Sequence, residues 1–368
     1  MEYGQERIAT LHDLTGHVPD APTERAAVVV PMTDREYAGL AAERVLSELE
    51  SVAPAEVVVP LRAPADTVPE FAAWLSEFDL PLTVLWCNGP EVRDLLARHG
   101  LNGEAGKGRD AWLALGVAAA NREYVVVHDA DAETYEAADV SRLLAPLATG
   151  YQFTKGYYAR VESGRLYGRL CRLFYAPLVR ALADAHPDAA VLDYLGAFRY
   201  ALAGEFGLTA DLARSLRVER HWGLEVGQLG ETFAHAGFDG TAQVDLGRYE
   251  HDHRAVSGPT GLSDMSRHVG RALLRAVEEG GVAPDYESLP ERYRESARGF
   301  VEQYAADAAF NGLDYDRAAE REQVDTYAEA IRPPGEDRRL PPWREVDLTA
   351  DEVLAASRAD VADVRTGD

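Results

Sequence analysis

The chain has 368 residues, 46% of them hydrophobic, which is enough for a large core, yet no apolar run approaches the ~18 residues that a membrane span needs. Acidic residues outnumber basic ones by 62 to 37 and give a net charge of −25, which argues against nucleic acid as a partner because a phosphate backbone requires the opposite field. With two cysteines and no secretory signal at the N-terminus, we expect a cytoplasmic protein without a disulfide framework or a membrane span.

Lysine is almost absent from this sequence. Of the 37 basic residues only Lys107 and Lys155 are lysines, and all the others are arginines. An acidic, lysine-poor composition suits a salt-rich cytosol, where strong screening tolerates self-repulsion. Because lysine has been replaced almost everywhere else, we interpret these two as residues needed for their own chemistry.

The first half of the chain alternates short apolar runs with helical patterns. Runs of β-branched residues predict buried strands at 26–30, 56–60, 82–87 and from Tyr124 onward. Apolar residues at helical spacing predict helices at 36–51, 68–77, 90–99 and 107–120. This alternation predicts a mostly parallel sheet with helices on both faces, and ligands bind such sheets beyond the carboxyl ends of the strands. The rule points to Pro31–Glu36, Asn88–Gly89 and His128–Asp131.

The second half of the chain mixes strands and helices. Strands are predicted at 150–160 and 241–246, and helices at 165–185 and 224–236. The chain then reads as helical and charged from Gly261 to about Ile331. A Pro-rich stretch, Pro333–Pro342, precedes a short acidic tail helix.

A pair of carboxylates ends the most apolar strand, in Asp129-Ala130-Asp131. Two carboxylates spaced by one residue can hold a hard divalent cation that is itself bound to a diphosphate. The alternative is a strand end whose carboxylates are simply solvated. His251 and His253 follow another predicted strand, and either imidazole could add a ligand to the same cation.

Two further motifs could bind an anionic or sugar ligand. Gly103–Gly108 is a Gly-rich turn that contains Lys107 and opens a helix, although it is not a Walker A loop because no Ser or Thr follows the lysine. An ordinary loop is the alternative. Glu225 lies between two glycines at the start of another helix. Its carboxylate could cap that helix or orient a substrate hydroxyl.

Cations in an acidic chain are the third signal. Lys155, Arg160, Arg165 and Arg254 are local positive charges that offset the background of −25. They suit an acceptor that carries phosphate or carboxylate, because arginine can bond two oxygens of such a group at once. Pairing with surface carboxylates is the alternative.

In this order and spacing, the segments resemble those of the glucosyl-3-phosphoglycerate synthases, retaining glycosyltransferases of family 81 with a GT-A fold. The resemblance covers roughly residues 20–280 and rests on Val28–Pro31 with Glu36, Gly106–Gly108, Asp129–Asp131, Phe153–Arg160, Gly164-Arg165, Gly223–Gly227, Val244–Arg254 and Met265–Arg267. One departure is the family's Gly-Glu-Tyr segment, which is not recognisable at Tyr194–Arg199.

The resemblance implies a hexosyltransferase that moves glucose from a nucleotide-sugar to 3-phosphoglycerate, with Mg²⁺ or Mn²⁺ as cofactor. It implies that Asp131 and His251 hold the cation, and that Asp131, Glu225 and Lys107 act in the reaction. Donor-binding positions would be Pro31, Glu36, Gly106, Lys107, Asp129 and Ala130. For the acceptor the resemblance implies Arg165, assisted by Arg254, and the local positive charge adds Lys155 and Arg160 as acceptor-binding positions.

For the whole chain we therefore expect an α/β protein with a mixed, mostly parallel sheet of the GT-A type and a helical C-terminal extension. The expected division is an N-terminal arm at 1–25, a catalytic domain at 26–258, a helical region packed on it at 259–332, and a Pro-rich linker with an acidic tail at 333–368. A transferase like mannosyl-3-phosphoglycerate synthase and a degenerate GT-A binding module remain as alternatives. A homodimer is left open.

Overall fold

A ten-stranded sheet forms the centre of the molecule. The computed structural model describes residues 5–252 and 259–366. The strands are β1 Ala9–Leu11, β2 Ala26–Val29, β3 Met32–Thr33, β4 Glu56–Arg62, β5 Leu82–Trp86, β6 Tyr124–Val127, β7 Phe153–Glu162, β8 Arg165–Leu166, β9 Phe206–Thr209 and β10 Thr241–Tyr249. Residues of β2 and the last three of β6 are buried, as expected for strands covered on both faces.

The strands follow the order β1-β10-β7-β9-β6-β2-β4-β3, with β5 also pairing with β4 and β8 with β7. Neighbouring strands run parallel except that β9 is antiparallel to β6 and β7, and β8 forms a hairpin with β7. This confirms the predicted mixed, mostly parallel α/β fold. The carboxyl ends of β2, β4, β6, β7 and β10 consequently lie at one edge of the sheet, where the amino end of β9 joins them.

Helices flank this sheet. They are α1 Leu40–Val52, α2 Val68–Leu75, α3 Pro90–Arg98, α4 Lys107–Asn121, α5 Ala138–Ala148, α6 Ala176–Ala185, α7 Ala190–Gly196, α8 Ala210–Ala213, α9 Leu224–His235, α10 Pro259–Glu279, α11 Leu289–Phe310, α12 Arg317–Ala328 and α13 Ala350–Thr366. A π-helix at Leu170–Tyr175 leads directly into α6. Within the described ranges, no helix is long and apolar enough to cross a membrane.

The central helix α4 is enclosed by the rest of the fold. Its residues from Gly108 to Ala119 are buried, so the helix is apolar nearly all round. The indole of Trp343 stacks on Trp112 with ring centroids 4.6 Å apart, and a Cβ at Gly116 would lie 1.8 Å from the Trp343 ring. The segment after the Pro-rich stretch therefore supports the helix whose first residue is Lys107.

The first strand and the last helix of the described residues both pack onto the sheet region. Strand β1 pairs with β10 and extends the sheet, although the sequence suggested only an arm there. In α13 the buried Ser357 Oγ accepts a hydrogen bond of 2.8 Å from Trp86 N. Asp360 accepts from Glu91 N and Val92 N at 2.8 and 3.1 Å and so caps the N-terminus of α3. The division into domains stays a prediction.

Candidate active site

The N-terminus of α4 is held at the carboxyl edge of the sheet by hydrogen bonds and ion pairs around the buried Asp110. Arg62, the last residue of β4, donates to Asp110 Oδ2 at 2.7 Å. Arg109 donates to Asp110 Oδ1 at 2.9 Å and to Cys87 O, just after β5, at 2.9 Å. The first turn of α4 is thereby fixed against two strand ends, which places Lys107 beside the strand-end carboxylates.

Lys107 links two carboxylates from separate elements. Its Nζ donates to Asp129 Oδ1 at 2.8 Å and to Glu225 Oε1 at 3.0 Å. Burial alone would lower the pKa of Lys107, but Asp129 and Glu225 outweigh it and raise this pKa well above its ordinary value. Burial would likewise raise the pKa of Asp129, and Lys107 reverses this and lowers it. The cluster therefore places one ammonium group within hydrogen-bond distance of two carboxylates.

Asp131 and His251 lie on two chain segments that pair with each other. Ala132 forms a β-bridge with His251, and Asp252 N donates to Asp131 O at 2.8 Å. Burial, together with the neighbouring Asp129, raises the pKa of Asp131 to about 7. The predicted metal ligands are thus adjacent in the fold although they are distant in sequence.

Carboxylate and imidazole are suitable ligands for Mn²⁺, and Mg²⁺ is commonly held by one or two protein carboxylates plus substrate phosphates and water. Among the residues the structure describes, no group of three metal-binding side chains converges. Asp131 and His251 fit a cation that a bound diphosphate completes. His253, the other histidine considered from sequence, lies outside the described residues.

The glycines around Lys107 serve close packing. A Cβ at Gly106 would lie 2.2 Å from His221 Nδ1, and a Cβ at Gly108 would lie 1.8 Å from Glu219 O. Arg109 N donates to Arg220 O at 3.0 Å, so the segment before Glu225 runs directly against the start of α4. These glycines bring the two chain segments together and thereby let Lys107 reach Glu225.

The other predicted donor-binding residues lie at the same edge. Pro31 follows β2, and Ala130 is buried between the two aspartates. Glu36 accepts hydrogen bonds from Thr33 N and, at 2.8 Å, from Thr33 Oγ1, and so closes a capping box on a short 3₁₀ turn. The Glu36 carboxylate is therefore bonded to Thr33 in the absence of any ligand.

Of the four predicted acceptor-binding cations, the three that the structure describes do not form one surface. Lys155 is 1% exposed, and its Nζ donates to Ala203 O at 2.6 Å, so its ammonium lies inside the fold and not on the surface where an acceptor was expected. Arg160 is partly buried and donates to Glu162 Oε1 at 3.4 Å. Arg165 is exposed at the β7–β8 hairpin, and Arg254 lies outside the described residues.

The segment Ala203–Glu205 enters β9 at the same edge and was not predicted from the sequence to belong to a site. A Cβ at Gly204 would lie 2.0 Å from Asp129 Oδ2, so only glycine fits beside that carboxylate. Glu205 is fully buried, neither of its oxygens has a hydrogen-bond partner among the described residues, and burial raises its pKa to about 8. The Gly-Glu pair followed by Phe206 was the available signal, and it begins five residues after the segment Tyr194–Arg199, where Gly-Glu-Tyr was sought.

Comparisons with known proteins agree on one family. The chain is 32% identical to glucosyl-3-phosphoglycerate synthase of Methanococcoides burtonii over 99% of this chain and 98% of the relative. It is 34% identical to that of Persephonella marina over 83% and 80%, respectively. No family model matches.

A solved structure shows the same fold. The glucosyl-3-phosphoglycerate synthase of Mycobacterium tuberculosis in complex with Mn²⁺, UDP-glucose and phosphoglyceric acid matches at 25% identity with a TM-score of 0.56, over 76% of this chain and 89% of that one. The full-length match to the M. burtonii enzyme shows more than the fold. The chain belongs to the glucosyl-3-phosphoglycerate synthase family of glycosyltransferases.

Proposed function

We propose that this protein transfers glucose from a nucleoside-diphosphate glucose to 3-phosphoglycerate with retention of the anomeric configuration. The observation that carries the proposal is the bridge from Lys107 to Asp129 and Glu225 at the carboxyl edge of the sheet. Three elements supply these groups, and all three belong to segments on which the family resemblance rests. The M. tuberculosis relative holds UDP-glucose, phosphoglyceric acid and Mn²⁺ together, which supports the same substrates here.

On the donor side, Lys107 donates to the diphosphate, and Asp129 and Ala130 lie beside the diphosphate and the ribose. Glu225 accepts a hydrogen bond from a hydroxyl of the donor sugar. Pro31, Glu36 and Gly106 complete the donor site. Lys107 can serve two partners because its ammonium carries three donors, so it remains bonded to a carboxylate when a phosphate oxygen arrives.

Asp131 and His251 would hold the divalent cation, which when bound neutralises the negative charge on the departing nucleoside diphosphate. During transfer, the bond between the anomeric carbon and the diphosphate oxygen breaks, and a bond to the acceptor hydroxyl forms. The proton of that hydroxyl passes to the leaving phosphate. We assign no protein nucleophile.

On the acceptor side, Arg165 binds the phosphate of 3-phosphoglycerate, with Arg254 assisting. Arg160 acts on the strand-end carboxylates as well, because its charge contributes to lowering the pKa of Asp129. The predicted domain boundaries and a cytoplasmic location are part of the proposal. Two free, buried cysteines, Cys87 and Cys171, suit a reducing compartment.

The test is a donor and acceptor screen with the full chain. Glucose and mannose donors on different nucleobases are each incubated with Mg²⁺ or Mn²⁺ and with 3-phosphoglycerate or uncharged glycerol at equal concentration. We expect a glucosylated 3-phosphoglycerate in the α configuration, and no turnover in chelator. Preference for glycerol would reject the proposed acceptor, and preference for a mannose donor would reject the proposed sugar.

A further inference from the structure

Arg165 lies on the β7–β8 hairpin, and its own side chain makes no polar contact, in the parts of the chain that the structure describes, that would fix its position. Ser163 and Gly164 turn the chain with φ of 47° and 74°, and Arg165 follows at the exposed tip. Among the described residues, no hydrogen bond or ion pair involves the Arg165 side chain. The backbone of the loop 163–168 therefore sets the point from which this guanidinium reaches toward a ligand, and whatever holds that backbone sets that point.

Arg172 fixes the backbone of this loop through hydrogen bonds to two of its carbonyl groups. Its Nε donates to Tyr167 O at 2.8 Å and its Nη2 donates to Leu166 O at 3.3 Å. Arg172 is 6% exposed, and its guanidinium carbon lies 4.7 Å from the centroid of the Tyr304 ring. A planar fork with fixed donor directions suits two successive carbonyls, and lysine could not reproduce it. Arg172 also lies within a π-helix, an insertion that frequently occurs at functional sites.

The C-terminal helices hold Arg172 in turn. Glu320 of α12 is 3% exposed and accepts from Arg172 Nη1 at 3.2 Å and from Arg169 Nε at 2.7 Å. Nearby, Asp314 N donates to Gly164 O at 2.9 Å. Removal of the Glu320 carboxylate would leave the charge of the buried Arg172 guanidinium uncompensated. Breaking this contact therefore costs free energy of folding. Arg172 thus links the loop to Glu320, which lies 148 positions after Arg172 in the chain.

We propose that Glu320 and Arg172 are positioning residues for the acceptor: they fix the carbonyls of Leu166 and Tyr167, and through them the place of Arg165. The inference rests on the proposed function in that Arg165 binds the acceptor's phosphate. It gives the C-terminal helical region a role in acceptor affinity. Donor binding is separate, because Lys107, Asp129 and Glu225 lie on other elements.

The kinetic test compares Glu320→Gln and Arg172→Lys with the control Glu302→Gln. Glu302 is an exposed residue of α11 that pairs with Arg317 and Arg321 of the same α12, so it matches Glu320 in partner type but not in burial or in contact with the loop. We expect the KM for 3-phosphoglycerate to rise about tenfold in both test variants, as for loss of one hydrogen bond to a charged group. The donor KM and the kcat at saturating acceptor should stay near wild type, and the control should match wild type throughout.

Hydrogen exchange of the amides in 163–168, measured on the ligand-free protein, provides a second readout. Exchange there should be faster in Glu320→Gln than in wild type or in Glu302→Gln. Unchanged exchange would overturn the positioning role whether or not the wild-type protein uses 3-phosphoglycerate.

Faster exchange together with an unchanged acceptor KM, or an equal rise in donor and acceptor KM, would overturn the link to the acceptor. If wild type transfers nothing to 3-phosphoglycerate, the proposed function fails, and with it that link. If Glu320→Gln does not fold, Arg172→Lys decides both readouts, since it keeps the charge and removes only the fork.

Discussion

Lys155 makes the stability of the protein depend on pH. This lysine of β7 is 1% exposed, and its only hydrogen-bond partner among the described residues is Ala203 O, at 2.6 Å. Burial lowers its pKa from 10.5 to about 8, although the neighbouring Glu225 and Glu205 oppose this. The folded chain therefore binds this proton less tightly than the unfolded chain does, and stability is lost as pH falls from about 10.5 through about 8.

The interval between the folded and unfolded pKa values corresponds to about 3 kcal/mol, at about 1.4 kcal/mol per pH unit. Lys155→Met keeps most of the side-chain volume and removes the titrating group. We expect the unfolding free energy of wild type, relative to this variant, to fall by up to about 3 kcal/mol between pH 10.5 and pH 8 and then to level off. The assay is urea unfolding followed by circular dichroism at several pH values from 7 to 10.5.

Glu205 is the neighbour that could confuse this measurement, because burial raises its pKa to about 8. Its contribution has the opposite sign, since stability from a carboxyl group with a raised pKa is lost as pH rises through that value. The comparison is therefore repeated in a Glu205→Gln background, where the carboxyl group no longer titrates and the remaining groups are common to both proteins. Parallel stability curves for the two proteins between pH 8 and 10.5 would refute the reasoning.

Three further predictions concern the cation, the donor and the C-terminal helix. Asp131→Asn should lower turnover by orders of magnitude with an unchanged circular dichroism spectrum, because a strand-end carboxylate contributes little to the core; retained turnover would argue against it as a metal ligand. Lys107→Met should raise the donor KM about tenfold or more through loss of a charge-assisted hydrogen bond, while the acceptor KM stays near wild type; equal changes in both would contradict this. Asp360→Ala should destabilise the protein by about 1–2 kcal/mol in urea unfolding, because two backbone N–H groups of α3 lose their cap, whereas the exposed Arg358→Ala on the same helix should not.

The sequence predicted much of the first half of the fold because buried parallel strands appear as continuous β-branched runs. Strands β2, β4, β5 and β6 lie within about a residue or two of the predicted runs, and α2, α3 and α4 start at the predicted positions. Strands β1, β3, β8 and β9 were missed, and β8 lies where a helix was predicted. They have only two to four residues each, so pairing with a neighbouring strand, and not a local pattern, makes them strands.

The site was predictable to the extent that it follows from strand ends. Asp129 and Asp131 were found because a carboxylate pair after an apolar strand must lie at the ligand-binding edge. Arg172 and Glu320 carry no local signal, because an arginine and a glutamate on charged helices are unremarkable until a contact across 148 residues joins them. Lysine scarcity did single out Lys155, but sequence alone did not show that its side chain ends inside the fold.

The locations of the two lysines suggest why arginine did not replace them. The single Nζ of Lys107 reaches Asp129 and Glu225 from one point, whereas arginine would spread its donors over a wide, rigid fork. Lys155 faces one carbonyl oxygen in a buried strand, a site that a lysine tolerates because its pKa can fall to about 8. Arginine keeps its charge at every accessible pH and would leave several donors unsatisfied there. Position 107 therefore favours lysine because a single nitrogen reaches both carboxylates. Position 155 favours lysine because its ammonium can lose a proton when buried.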